Sequence, residues 1–222
     1  MSAVPGNGLA AFPRRVLPLL GLAAASPARA ALPVPRANLL AFRIMRNGSA
    51  IGRHELRFET RGDGLLVRIN VEIAVGIGPI TLFRYTHRAT ESWTGDRVTA
   101  FQAETNDDGE RTTIAMRAEG EALRVDSSKA GRYLAPAGAT PATHWNRHML
   151  DNPFINTQTG EVMRPAIRPA ETAPLPWNGA RTARRYVMTG DADLESWYDA
   201  TPAWVGLRFR GRDGSTIQYE VT

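Results

Sequence analysis

Residues 65–75 read Leu65-Leu66-Val67-Arg68-Ile69-Asn70-Val71-Glu72-Ile73-Ala74-Val75. Val67, Ile69, Val71, Ile73 and Val75 fall on one side of a two-residue period, and Arg68, Asn70 and Glu72 fall on the other. Successive side chains of a strand point to opposite faces, so this stretch predicts a strand with one face in a core and one in water. The same alternation returns near the C-terminus. Val205, Leu207 and Phe209 alternate with Arg208 and Arg210, and Ile217, Tyr219 and Val221 alternate with Gln218 and Glu220.

Short turn signals separate these runs: Arg46-Asn47-Gly48-Ser49, Arg61-Gly62-Asp63-Gly64, Thr94-Gly95-Asp96, Asn106-Asp107-Asp108-Gly109 and Gly211-Arg212-Asp213-Gly214. Asn-Gly and Asp-Gly supply the positive φ angles of tight hairpins. Connections this short leave no room for a parallel crossover, which needs about a dozen residues, so consecutive strands should run antiparallel. The expected strands are 38–46, 50–60, 65–76, 80–93, 97–105, 111–119, 122–127, 131–135, 153–157, 160–165, 181–190, 193–200, 203–210 and 215–221. One short helix is expected near 143–150. Residues 165–176, rich in Pro and Ala, read as an irregular connection. The predicted fold class is all-β: an antiparallel meander forming a closed or half-open barrel or a strongly curved sheet.

At 222 residues and 43% apolar composition the chain suffices for one substantial core. Residues 12–31 carry the basic pair Arg14-Arg15, an apolar run from Val16 to Ala25, and Ala28-Arg29-Ala30. This is the pattern of a secretory signal, partly of twin-arginine type, with cleavage expected after Ala30. The apolar run is about ten residues, half of the roughly twenty that span a bilayer, so no permanent membrane span is expected. The organisation predicted is a signal peptide over 1–30 and a single β domain over 31–222, in the periplasm. Arg14, Arg15 and Arg29 lie in the leader, which has no acid, so the formal charge of +5 falls to +2 without it. The remaining arginines are interleaved with acids along strands, a solvated face unlike the clustered patch that tracks a phosphate backbone, and no nucleic-acid partner is expected. With no cysteine, disulfides, thiolate nucleophiles and zinc-thiolate sites are excluded.

The chain has no G-x-S-x-G, H-E-x-x-H or phosphate loop. Gly76-Ile77-Gly78 joins two strands and reads as a turn. Asp107-Asp108-Gly109-Glu110 and Asp191-Ala192-Asp193-Leu194-Glu195 read as a hairpin turn and a strand entry, because the second has Ser196 where a calcium loop needs glycine. No cofactor is implied. Two side-chain sets remain. In Thr143-His144-Trp145-Asn146-Arg147-His148-Met149-Leu150, a helix would place His144, His148 and Asp151 on one face, a set sufficient for zinc with an open position. The plainer reading has Trp145 and Met149 plugging a barrel mouth while the histidines face water. On the strand 80–93, Phe83, Tyr85, His87, Ala89, Glu91 and Trp93 share the inward face. Tyr85, His87, Glu91 and Trp93, with Trp145 and Asn146 above them, are then either a buried structural set or the polar floor of a ligand cavity.

Five segments taken in order, Glu91-Ser92-Trp93-Thr94-Gly95, Trp145-Asn146, Asn156-Thr157-Gln158-Thr159-Gly160, Trp197-Tyr198-Asp199 and Asp213-Gly214-Ser215, resemble the exported bacterial domain-of-unknown-function family 6134 from about Leu39 to Thr222. Trp145-Asn146 match that pattern and His148 does not. The resemblance implies an all-β periplasmic domain without an established activity. The functional expectation is a non-catalytic periplasmic protein that binds a lipid or other hydrophobic or amphiphilic ligand or assists envelope assembly. The alternatives are a metal-dependent hydrolase using His144, His148 and Asp151, and a purely structural partner of another envelope protein.

Overall fold

The computed structural model describes residues 32–77 and 80–222; the expected leader and its cleavage point lie outside them. Sixteen strands follow in chain order. The first eight are β1 (Leu39–Arg46), β2 (Ser49–Arg61), β3 (Gly64–Ile77), β4 (Ile80–Thr94), β5 (Arg97–Asp107), β6 (Glu110–Glu119), β7 (Ala122–Ser127) and β8 (Gly131–Leu134). Three two-residue strands come next: β9 (Thr140–Pro141), β10 (Phe154–Ile155) and β11 (Val162–Met163). The last five are β12 (Ala166–Leu175), β13 (Asn178–Thr189), β14 (Leu194–Tyr198), β15 (Trp204–Arg210) and β16 (Thr216–Val221).

Thirteen of them form one antiparallel sheet in the order β12-β13-β14-β15-β16-β1-β2-β3-β4-β5-β6-β7-β8. Each neighbour pair is a hairpin except one: β16 closes onto β1, with Val221 opposite Phe42 and Ile217 opposite Arg46. Edge strands β8 and β12 do not pair with each other, so of the expected arrangements the closed barrel is excluded and the sheet is a half-open barrel or strongly curved sheet. The hairpins are made as their turns predict. Asn47 and Gly48 take φ of 49° and 85°, and Asp108 and Gly109 take 53° and 102°, which are the left-handed values a two-residue turn requires.

Alternation sets which face is buried. On β3, Leu65, Val67, Ile69 and Val71 are buried; the first three join residues of both halves of the sheet, from Phe42 to Leu207, in one core cluster, and Val71 packs with Ile44 and Ile217 in a smaller one. The segment between β8 and β12 fills this concavity. Trp145, Met149, Leu150, Phe154 and Ile155 all belong to that core, each fully buried large apolar side chain contributing about 1.5–3 kcal/mol. Opposite it, Leu175, Ala183, Trp197 and Val205 form a small second cluster under Trp177.

Three expectations are corrected. Residues 166–175 are a strand, not a loop: Pro169 and Pro174 sit in edge strand β12, where a missing N–H costs little, and a register shift follows each. The strands expected at 153–157 and 160–165 shrink to β10 and β11, and β10 runs parallel to the unforeseen β9, reached by a connection long enough for it. The helix expected near 143–150 is a 3₁₀ turn over Arg147–Asp151 capped by Asn146, whose Oδ1 accepts from the His148 N–H at 3.2 Å.

Candidate functional site

Strand β4 presents Tyr85, His87, Ala89, Glu91 and Trp93 inward, as its alternation requires, and each finds a different partner. Glu91 is wholly buried. Its Oε2 accepts from the Trp93 indole N–H at 3.0 Å and the Trp145 indole N–H at 2.7 Å, while Oε1 has no hydrogen-bond partner. The two indoles meet edge to face at 5.3 Å, and Phe58 packs on Trp145 at 5.2 Å. Burial raises the carboxyl pKa, opposed by the Trp145 indole, the nearby Thr143 side chain and the Trp93 indole. Glu91, Trp93 and Trp145 thus clasp the connecting segment to the sheet. Asn146, buried beside them, bridges to Ala203.

His87 is not part of that clasp. Its Nδ1 pairs at 2.8 Å with the hydroxyl of Thr105, the residue directly opposite on β5. The register carries a row across the sheet from Phe42 through His54 and Val71 to His87. Two strand spacings separate the histidines in this row, about 10 Å between backbones. Both face a cavity of about 320 Å³ whose lining also includes His144, Tyr85, Trp204 and Tyr219. Trp204 lies between two of the imidazoles, stacked on His144 at 5.4 Å and edge-on to His54 at 5.5 Å.

Burial lowers the pKa of all three histidines: to about 3 for His54, where the charges His87 and His144 would carry add to the effect, and to about 4 for His87 and His144. All three are neutral at physiological pH. Neither ring nitrogen of His54, nor Nδ1 of His144, has a hydrogen-bond partner.

Sharing Tyr85, Gln158, Phe209 and Tyr219 with this cavity is a cleft of about 570 Å³. Ile51, Ile73, Val75 and Phe83 give it apolar walls. Of its charged side chains, Arg46 pairs with Asp213 and Arg212 with Asp107. Both volumes are in the range of small-molecule sites, roughly 300–1,000 Å³.

The predicted residues therefore divide. Tyr85 and His87 line the cavities, whereas Glu91 and Trp145 are core. Trp93 and Asn146 border a separate space of about 390 Å³ with His148. His144, His148 and Asp151 are not brought together. His144 turns into the histidine cavity from a backbone with φ of 63°, while His148 and Asp151 are exposed with 3.7 Å between Nδ1 and Oδ2. Among the described residues no three His, Cys, Asp or Glu side chains converge as a metal site. His54, Trp204 and Tyr219 were not anticipated as site residues. The signal for His54 lies in β2, where His54, Leu56 and Phe58 alternate with Arg53, Glu55 and Arg57.

Comparison with solved structures finds the same fold in a β-barrel-like protein of domain of unknown function DUF1849 from Brucella abortus. The TM-score is 0.57 at 10% identity, over 83% of this chain and 94% of that one. No curated protein matches. The sequence profile of the domain of unknown function DUF6134 spans residues 42–222, and the chain belongs to that family.

Proposed function

We propose that this chain is an exported, periplasmic, non-catalytic protein that binds a hydrophobic or amphiphilic small molecule and in that way assists the cell envelope. The observation that carries this reading is the largely apolar cleft of about 570 Å³ that shares four lining residues with a polar-floored cavity. A few polar groups in an otherwise apolar pocket are what orient a small ligand. Ile80 and Leu82, on the same strand as Phe83 of the cleft wall, are exposed apolar side chains. The periplasmic assignment rests on Arg14-Arg15, the apolar run and Ala28-Arg29-Ala30. Among the described residues no helix is long and apolar enough to cross a membrane.

Native mass spectrometry of protein purified from the periplasm tests the reading. The expected spectrum carries a small-molecule adduct that organic extraction removes. A ligand-free species that also fails to take up long-chain amphiphiles overturns it.

A further inference from the structure

Three of the chain's four histidines line one cavity, and their polar atoms are poorly served. A neutral imidazole offers one donor and one acceptor. His87 uses Nδ1 on Thr105, but both nitrogens of His54 and Nδ1 of His144 are buried without partners. Buried polar groups are normally hydrogen-bonded, and a set left open in a cavity calls for a ligand that supplies the missing bonds. Three features narrow its chemistry. The described residues lining the cavity include no arginine or lysine. Its two acids, Asp191 and Asp193, accept from the backbone N–H groups of Arg164 at 2.7 Å and Gly190 at 3.1 Å. The imidazoles themselves are neutral at physiological pH. An anionic head placed here would lose its hydration with no cation to face, and a cationic head would find its counter-charges only at the exposed, already hydrogen-bonded Asp191 and Asp193. A metal ion is a poor fit, because no three of these side chains converge on one point.

Resting on the ligand-binding reading above, we propose that the His54–His87–His144 cavity holds the head of an uncharged, hydroxyl-bearing amphiphile whose chain lies in the adjoining apolar cleft. A hydroxyl both donates and accepts, so it complements neutral imidazoles. Tyr85, Phe209 and Tyr219, which line both spaces, flank the passage between head and chain.

A head-group series on one chain length tests this with the wild-type protein. Dodecanol, dodecanoate and dodecyltrimethylammonium are titrated at neutral pH, below their micelle concentrations, and followed by tryptophan emission and calorimetry. The expected result is that dodecanol binds about tenfold or more tighter than either ion, as desolvation of an unpaired charge requires. In His54→Phe dodecanol should bind several-fold more weakly, because two ring nitrogens that can meet its hydroxyl are gone, while both ions, excluded by desolvation, stay weak. Should that variant not fold, the wild-type series decides alone. Equal affinity for all three, or preference for an ion, overturns the head-group assignment and leaves ligand binding standing. Binding of none overturns both.

Discussion

Glu91 ties the connecting segment to the sheet from a fully buried position. A carboxyl group with no solvent contact is held by two indole N–H groups, one two residues away and one 54 residues away. Trp145→Phe keeps most of the ring and deletes one donor. The expected cost is about 2–4 kcal/mol, since a buried acceptor is left short, and a shift in the urea midpoint measures it. Glu91→Gln can keep its carbonyl on both indoles and turn its NH₂ to the side where Oε1 has no partner, so it should cost less than Trp145→Phe, about 0.5–1.5 kcal/mol in the same measurement. The buried histidines set the pH response. Their folded pKa values of about 3 to 4 lie below the ordinary 6.5, so the stability they contribute is present above pH 6.5 and is lost as pH falls toward 4. Unfolding in that window should take up as many as about three protons, which urea midpoints against pH would show as a falling limb. His54→Phe should flatten it. Glu91 has the opposite sign: its raised folded pKa means its contribution is present below its ordinary 4.5 and lost as pH rises through the folded value. The inward direction of Glu91, His87 and His54 is legible from alternation alone. The convergence of His144 on His54 and His87 is not, because it depends on a histidine in the left-handed region, and the local spacing reads as a helix.

Elements whose pattern is local were readable, and those whose pattern is tertiary were not. β3 and β16 alternate cleanly and their turns carry Asn-Gly or Asp-Gly. β12, Ala166–Leu175, contains two prolines and no clean alternation, and it becomes a strand only because β13 offers it a partner along one side. Under that hairpin, Gly206 on β15 meets the Trp177 ring: a Cβ there would lie 2.2 and 2.5 Å from ring carbons. Gly206→Ala should therefore displace Trp177 from Trp197, which it now contacts at 5.0 Å. Overpacking of this kind costs about 1–3 kcal/mol. A lowered melting temperature with a red-shifted tryptophan emission is the expected outcome. An unchanged melting temperature would mean the ring moves freely.

In the whole molecule, one curved sheet wraps a segment of its own chain. All-β class and antiparallel order follow from strand count and turn length, which sequence reports; whether the sheet closes depends on the pairing of its two edge strands, which sequence does not. The plug and the histidine cavity do not, because they arise from residues brought together across the sheet. The open ends predict a gradient of local stability. Amide exchange should be slowest in β1 to β4 and β15 to β16, which have partners on both sides, and fastest in β8 and β12, which have one. Equal protection at the two edges and the centre would indicate that the edges are covered.

The seam between β1 and β16 has a kinetic consequence. Every other pairing in the large sheet is a hairpin that can form as soon as its two strands exist, but Phe42 must wait for Val221, most of the chain away. Closing that loop costs chain entropy before any contact repays it, which places the protein among slow, high-contact-order folders. Until the seam zips, β1 offers a bare hydrogen-bonding edge beside an apolar face, the arrangement most prone to pair with a second chain. The half-finished protein is thus an aggregation hazard that the finished one is not, and anything that shields β1 during synthesis should raise the folded yield.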